Sequence, residues 1–442
     1  MASFDEDSTS LAVEAGREAL RGCASPPGSL LVASTSHPYA EKLNASAVHA
    51  ALDLPPAVCS ADLASSSRSG LAALALASEL SKSAPALACA ADVVVGAPSG
   101  PRESAGGDAA CAFLIGDEPG AGAVILGTAS HTEELLDAWR GPEQQFARQW
   151  EERFVEQRLV PALGSVFERC LERAGLAVSD LTGIAVDTAH PRIVGSFASK
   201  AGLQSGQLVG DLAASVGRAG AANAGLLLAR MLDSALPGDR IAVLSAADGA
   251  EAVIVEVTKQ IAKARPRRSV AQWIESNRGG LPYQTYLKWR EILPFEPPRR
   301  PAPPRPAAPP MQRAERWKYA FVGSRCLDCG AINLPPQRVC VQCGAVDRMD
   351  SVACADAKAR VATYTVDHLA YSLQKPVIAA VVDFDQGGRI ACELADVEPD
   401  KVTIGQELEM TFRRLYTAEG VRNYFGDYIR DYPERLAACA EN

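Results

Sequence analysis

No run of apolar residues in the 442-residue chain reaches the ~18 that a bilayer-spanning helix needs. A membrane span is therefore excluded. The start, Met-Ala-Ser-Phe-Asp-Glu-Asp, lacks the basic and apolar segments of a secretory leader, so the expected location is the cytoplasm. Histidine is scarce, with five residues, which leaves few candidates for an imidazole base. Basic charge is also short: 44 Lys and Arg against 53 Asp and Glu give a net charge of -9. The shortage is uneven, because residues 258–318 hold 14 basic and four acidic side chains. The rest of the chain is strongly acidic and repels a phosphate backbone, which excludes nucleic acid as a partner. The basic segment is either a local anion site or a solvated linker. Twelve cysteines without a leader point to thiols and metal rather than disulfides.

What is present is ordinary globular composition, 48% hydrophobic and 22% charged, at a length that suggests two or three domains. Residues 1–257 alternate strand-like and helix-like stretches. Ser29–Ala33, Ala90–Gly96, Ala110–Ile115 and Ile241–Ser245 read as buried strands. Ser8–Leu20, Gly70–Leu80 and Ala221–Leu232 read as helices. Trp150, Phe154, Leu159, Val166, Cys170 and Leu171 predict one apolar helical face, with Pro161 a candidate kink. The alternation predicts a layered α/β domain. Residues 258–313 form a basic, Pro-rich linker, with nine prolines between Pro294 and Pro310, a stretch expected to contain no helix. Residues 314–352 hold the grouped cysteines. Residues 353–433 are rich in β-type stretches with a hairpin turn at Gln386–Gly388, as in a small all-β barrel.

The first region repeats itself. Ser67–Ala73 is echoed by Gly217–Ala222, and Gly107–Ile115 by Ala247–Val255. The order loop, helix, strand, Asp/Gly turn, strand occurs twice, which suggests an internal duplication; Ala/Gly-rich segments also resemble one another by chance.

Three constellations carry chemistry. Cys326-x-x-Cys329 and Cys340-x-x-Cys343, each followed by glycine, place four thiolates on two tight turns. That is a tetrahedral site for structural zinc, with iron the competing ion. Ser65, Ser66 and Ser67 precede a helix start, where free amides favour a nucleophile or an oxyanion; the plainer reading is helix capping. His190 and His37 each stand before proline at a strand end, where α/β active sites gather, although a single histidine there is also a common structural residue.

These residues resemble the thiolase superfamily. Phe4–Ser8, Ala12–Ala15, Asp62–Gly70, Glu103 ahead of Gly107–Ala110, Val216–Ala222 and Pro237–Asp239 are similar to the hydroxymethylglutaryl-CoA synthase branch. Gly323–Gly330, Leu334–Pro336 and Cys340–Gly344 resemble OB-fold proteins with a rubredoxin-like zinc ribbon that bind acyl-CoA. The resemblance implies an internally duplicated αβαβα domain, then a zinc ribbon and an OB-fold barrel. It also implies a first strand ahead of Phe4; the expectation is either a mis-assigned start or a domain that lacks that strand. Family members that condense acyl groups use a cysteine where Ser67 stands, an Asn where Arg218 stands and an acid where Thr35 stands; His190 occupies the place of the family's catalytic histidine.

The expected catalytic set is thus His190, Ser67 and Arg218. Arg265, Arg267, Arg268 and Trp273 are the candidate grip for the phosphates and adenine of coenzyme A, which enters as part of the substrate. Three activities fit. One is C–C bond cleavage or formation on a β-hydroxy- or β-ketoacyl-CoA without a cysteine nucleophile, as in a retro-aldol step. Another is acyl transfer with serine. The third is a non-catalytic acyl-CoA-binding subunit. A homodimer or a complex with a thiolase-like partner is expected, with residues 88–96 as the candidate dimer strand.

Overall fold

The computed structural model describes every residue except 24, 118–119, 205, 277–278, 295, 297–304, 371 and 432–442. The chain divides into two compact units: Met1–Ala2, Asp7–Ser46 and Pro55–Arg278 form one, and Ser3–Glu6, Ala47–Leu54 and Gly279–Asn442 the other. In chain order, helix α1 (Ser8–Leu20) precedes β1 (Ser29–Ser34), α2 (Ala45–Ala51), β2 (Cys59–Ala64), α3 (Ser69–Leu80), β3 (Ala86–Val93), α4 (Pro101–Ala105) and β4 (Asp108–Ile115). Then come β5 (Ala123–Thr132), the small hairpin β6 (Ala138–Trp139) and β7 (Arg148–Gln149), α5 (Glu152–Ala174), β8 (Gly183–Thr188), α6 (Pro191–Lys200), α7 (Ala222–Ser234), β9 (Arg240–Ala246) and β10 (Gly249–Val257). Short helices α8 (Ile261–Ala264) and α9 (Val270–Glu275) close the first unit.

Local chemistry sets these boundaries. The Asp7 side chain accepts from the amides of Thr9 and Ser10 and starts α1, and Ser10 answers with a bond to the Asp7 amide. Gly175 stops α5 in the left-handed conformation.

The first unit contains two sheets of similar plan, β2-β1-β3-β4 and β5-β10-β9-β8. In the first, β1 runs parallel to β2 and β3, and β4 is antiparallel to β3. In the second, β8 is parallel to β9, β10 is antiparallel to β9, and an isolated parallel bridge from Ile184 to Leu208 stands where β2 stands in the first. The internal duplication is therefore real, and β5, paired to β10, has no counterpart beside β4 among the described residues. Helices α3 and α7, the repeated pair, pack between the sheets. A Cβ at Gly70 would lie 1.8 Å from the Ala221 carbonyl, and one at Gly107 would lie 1.9 Å from that of Val216. Helix α5 covers the second sheet through Leu159, Leu163, Val166, Phe167 and Cys170, with Phe167 edge-on to Phe197 of α6.

Three expectations change here. Helix α5 runs unbroken through Pro161, and its buried face begins at Val155. Trp150 and Phe154 are 50% and 48% exposed, because Trp150 ends the β6–β7 hairpin and packs at a tilt against Trp139 instead of joining the helix face. Residues 88–96 do not supply a free strand: β3 spans Ala86–Val93 and is hydrogen-bonded on both edges, whereas β2 is paired on one edge only among the described residues.

In the second unit, α10 (Tyr283–Trp289), α11 (Pro309–Arg313) and α12 (Glu315–Ala320) precede the ribbon strands β11 (Val322–Cys326), β12 (Ile332–Asn333) and β13 (Met349–Ala353). Part of the proline run, residues 295 and 297–304, lies outside the described residues. Pro309 and Pro310 open α11, contrary to expectation, because a first helical turn needs no proline N–H. Strands β14 (Ala359–Asp367), β15 (Val377–Phe384), β16 (Arg389–Glu393), β17 (Glu407–Ala418) and β18 (Val421–Asp431) form an antiparallel sheet in the order β16-β15-β14-β17-β18. Phe321, Val361, Val382, Leu408 and Met410 fill its core, and the Gln386–Gly388 turn joins β15 to β16.

Candidate active site and metal centre

The pre-helical serines of the first unit follow β2. Ser65 is held at φ 79, and α3 begins two residues after Ser67. No side chain caps this helix; Arg68 is its N-cap and makes no capping bond. Capping therefore does not account for Ser67. The Ser66 hydroxyl is buried without a hydrogen-bond partner, and Arg68 reaches away to the His131 and Ala250 carbonyls.

Asp92, fully buried at the end of β3, organises this region. Its carboxylate accepts from the Ser34 and Ser36 hydroxyls at 2.8 and 2.6 Å, and from the Thr35 amide and hydroxyl at 2.8 and 3.1 Å. It also accepts the Ala221 amide, at the start of α7, at 2.6 Å. Burial pushes its pKa up, and these donors pull it down. Thr35, in the place of the family acid, is thus committed to Asp92. Asp92 is held rather than available for proton transfer.

His190 is the residue before α6, 5% exposed, with its Nε2 buried and unpartnered. Burial lowers its pKa, Glu152 opposes this, and the Arg218 charge lowers it further. Its pKa thus lies below the ordinary imidazole value, which favours the neutral form. Arg218 donates from Nη1 to the Ala189 carbonyl at 3.2 Å, and its backbone bridges to Ala105 and Gly107. The structure therefore brings His190 and Arg218 together.

Sequence reasoning missed Asp187. It lies at the end of β8, accepts from Asn223 Nδ2 at 2.8 Å and Ser245 Oγ at 2.9 Å, and has its pKa pushed by burial to about 6. A lone acid inside the apolar stretch before His190 was the available signal. His37 is half-buried, with its Nε2 also unpartnered.

The candidate CoA residues lie elsewhere. Arg265 donates to the Leu232 and Ala235 carbonyls at the C-terminal end of α7, whereas Arg218 precedes its start. Thirteen helical residues place these ends about 20 Å apart. Arg267 pairs with Glu18 at 3.1 Å, and Arg268 stacks over Trp273 at 4.7 Å.

Two cysteines beside α3 offer no nucleophile. Cys89 and Cys111 are buried between α3 and the first sheet, and burial pushes the Cys111 thiol up to about 12.

In the second unit the Sγ atoms of Cys326, Cys329, Cys340 and Cys343 all lie within 4.8 Å of one another, with two pairs at 3.6 Å. Four sulfurs around zinc at ~2.3 Å have edges of about 3.8 Å, so the set fits that ion. Gly330 and Gly344, at φ 77 and 75, turn the chain after each pair and return their amides to the Cys326 and Cys340 carbonyls. Four thiolates leave no open position, so the ion is structural.

Comparison with known proteins follows this division. Residues 318–347 match the ChsH2 rubredoxin-like zinc ribbon domain, and residues 352–413 the ChsH2 C-terminal OB-fold domain. The hydroxymethylglutaryl-CoA synthase of Methanosphaera stadtmanae is 31% identical over 300 residues, 65% of this chain and 85% of that protein. A DUF35 domain-containing scaffold protein of Methanocaldococcus jannaschii is 31% identical over 101 residues, 22% of this chain and 71% of that protein. Among solved structures, MvaS in complex with 3-hydroxy-3-methylglutaryl coenzyme A aligns with TM-score 0.56 at 20% identity, covering 68% of this chain and 84% of that one. 3-Oxoacyl-(acyl carrier protein) synthase III from Pseudomonas aeruginosa aligns with TM-score 0.52 at 21% identity, covering 58% and 84%. The fold and the cysteine site define a thiolase-like domain joined to a zinc ribbon and an OB-fold barrel. The chain belongs to the hydroxymethylglutaryl-CoA synthase family, and it carries a DUF35-type module after the synthase-like region. No helix among the described residues is long and apolar enough to cross a membrane.

Elemental analysis of the purified chain should give one zinc per polypeptide. Cys340→Ala should lose the ion and melt the ribbon; a metal-free wild type, or a variant that retains the ion, would contradict the site.

Proposed function

We propose that the first unit acts on β-hydroxy- or β-ketoacyl-CoA thioesters, making or breaking the C–C bond next to the thioester without an acyl-enzyme. The observation that carries this is a buried His190 with an unpartnered Nε2 and a lowered pKa beside Arg218; Ser67, two residues before α3, stands where the resemblance expects a thiol. Family membership supports acyl-CoA-dependent condensation in general. Relatives are named hydroxymethylglutaryl-CoA synthase, and one solved neighbour, a hydroxymethylglutaryl-CoA synthase, holds CoA. A serine hydroxyl is a weak acyl acceptor unless a base activates it. A retro-aldol step needs only a base and an enolate site. His190 takes the β-hydroxyl proton, the Cα–Cβ bond breaks as the carbonyl forms, and its electrons pass to the thioester enolate. The amides around Ser67 and Gly220, with Arg218, stabilise that charge. The enolate then takes a proton to give the shorter thioester, and condensation is the reverse.

His190→Ala should lower turnover by about 10²–10⁴, the range for a positioned general base. Ser67→Ala should be mild, and mass spectrometry should find no acyl adduct. Because the imidazole pKa lies below its ordinary value, the rate should persist at pH 6.5 and fall only at lower pH. Severe loss in Ser67→Ala would favour serine-based acyl transfer.

The second reading is a non-catalytic acyl-CoA-binding subunit of a complex with a thiolase-like partner. It draws on Methanocaldococcus jannaschii, where relatives of the two regions are separate proteins, one of them named a scaffold. Untouched activity in both variants would favour it.

CoA is proposed to be held by the basic segment. The pair that tests this is Arg268 over the Trp273 ring, 4.7 Å from its centroid. Arg268→Gln should weaken CoA-ester binding about tenfold by calorimetry, and an unchanged Kd would refute it.

We also propose a homodimer through the open edge of β2 rather than through β3. Ala61→Pro, at the centre of β2, should convert a dimer to a monomer in light scattering. A monomeric wild type at micromolar concentration would rule this out.

A further inference from the structure

We propose that His37 is the second acid–base residue of the first unit, the group that removes a proton from the thioester Cα and, in the reverse direction, returns it. This rests on the acyl-CoA reading above, which gives the β-hydroxyl proton to His190 and leaves the Cα proton without a carrier. The duplication supplies the pairing. Strands β1 and β8 correspond in the two sheets: each is parallel to a neighbour, β3 or β9, that is itself antiparallel to β4 or β10. His37 follows the end of β1 and His190 the end of β8, each directly before a proline. Both have a buried Nε2 without a hydrogen-bond partner.

The two histidine loops meet at one turn. The Thr35 amide and the Ser36 hydroxyl, just ahead of His37, donate to one oxygen of Asp92, whose other oxygen accepts the Ala221 amide at 2.6 Å. Arg218, three residues before Ala221, donates to the carbonyl of Ala189, the residue ahead of His190. The turn before α7 is thus held by both loops. The His37 loop also adjoins the serine loop that follows β2, where the Ser65 amide donates to the Ser34 carbonyl at 3.1 Å.

The carboxylates that act on His37 are already engaged. Asp92 holds the donors described above, and Asp62 accepts the Asn44 and Ala45 amides, both at 2.7 Å, and the Asn44 side chain at 3.2 Å. Burial lowers the His37 pKa against the pull of Asp62 and Asp92, which favours the neutral ring. With the ring hydrogen on Nδ1, Nε2 is an acceptor, and a buried acceptor without a partner has lost its hydration. In condensation, Nε2 takes a Cα proton and the electrons of that C–H bond form the enolate. The enolate carbon attacks the acceptor carbonyl, and the resulting alkoxide takes the proton of an imidazolium at His190. Cleavage runs these steps backwards, and His37 returns its proton to Cα.

The test is hydrogen exchange of propionyl-CoA in heavy water with the full chain, read by mass spectrometry and paired with calorimetric titration of the same thioester. A base fixed on one face of Cα removes one of its two hydrogens, so the wild type should introduce a single deuterium. His37→Gln should slow this exchange about 100-fold or more, the low end for a positioned base, and leave the Kd unchanged. Imidazole added to His37→Ala should restore part of the exchange, which a packing role would not allow. Should the variants fail to fold, the deuterium count of the wild type still decides. Binding without exchange, uptake of both deuteriums at one rate, or exchange that survives His37→Gln overturns the assignment and leaves the acyl-CoA reading standing. Failure to bind propionyl-CoA overturns both.

Discussion

The first unit depends on a contact between its two halves that only glycine permits. Helix α3 meets the turn before α7 so closely that a side chain at Gly70 would overlap the Ala221 carbonyl, and Gly107 meets Val216 in the same way. Such an approach leaves no room for side chains and brings the starts of two repeated helices to one place. Helix starts expose unpaired amides, which favour negative charge. Asp92 answers the amide at the start of α7, and in doing so it fixes the Ser34–Ser36 loop from the first half. One buried carboxylate therefore ties a loop of one repeat to the helix of the other. The serines before α3 have no such partner, and that is the asymmetry on which chemistry can be built. The duplication supplies two similar ends, and the different side chains at them assign one to structure and leave the other open.

Much of this architecture was legible in the sequence where the signal is local. The ribbon is set by two Cys-x-x-Cys turns whose spacing alone determines the geometry. The strands of both units follow short apolar runs, and helix α1 begins at its capping aspartate. Signals that depend on distant partners were harder to see. Arg265, Arg267 and Arg268 were visible as charge, but not that Arg265 serves the end of α7 and Arg267 the carboxylate of Glu18. Trp150 and Phe154 fit a helical period, yet the chain enters α5 from a hairpin, and that pairing turns Trp150 toward Trp139. An apolar run at 88–96 gave burial but not neighbours, so it could not distinguish an interior strand from an edge. Asp187 illustrates the same limit: its position was plain, but its two hydrogen-bond donors lie 36 and 58 residues away.

The two units hold themselves together by different means. The first buries small residues, with Ala and Gly at its closest contacts and branched side chains on α5, so its halves can approach within backbone distance. The second places larger groups at its centre: Trp317 stacks on Phe321 and meets Phe425 edge-on, and a thiolate site orders the ribbon. A ribbon of some thirty residues buries too little apolar surface to order itself, and the metal supplies what packing cannot. The matches to known proteins divide along the same line, with one set of relatives for each kind of core.

Two of the departures from the expected family pattern in the first unit, at positions 67 and 218, are physically linked on the proposed reading. A thiol at a helix start can form the thioester that splits acyl transfer into two steps, and replacing it with serine removes that route unless a base activates the hydroxyl. What remains available is chemistry in which the acyl group is never transferred. Such chemistry needs a base that is neutral at working pH and a positive group near the developing enolate. On the proposed reading Arg218 meets the second requirement, and its charge contributes to the first by lowering the His190 pKa. An amide at this position would leave the histidine free to charge more readily and would offer the enolate only a dipole. On the proposed reading, serine at position 67 and arginine at position 218 are one change rather than two separate losses: the first closes the covalent route, and the second equips the site for proton transfer without it.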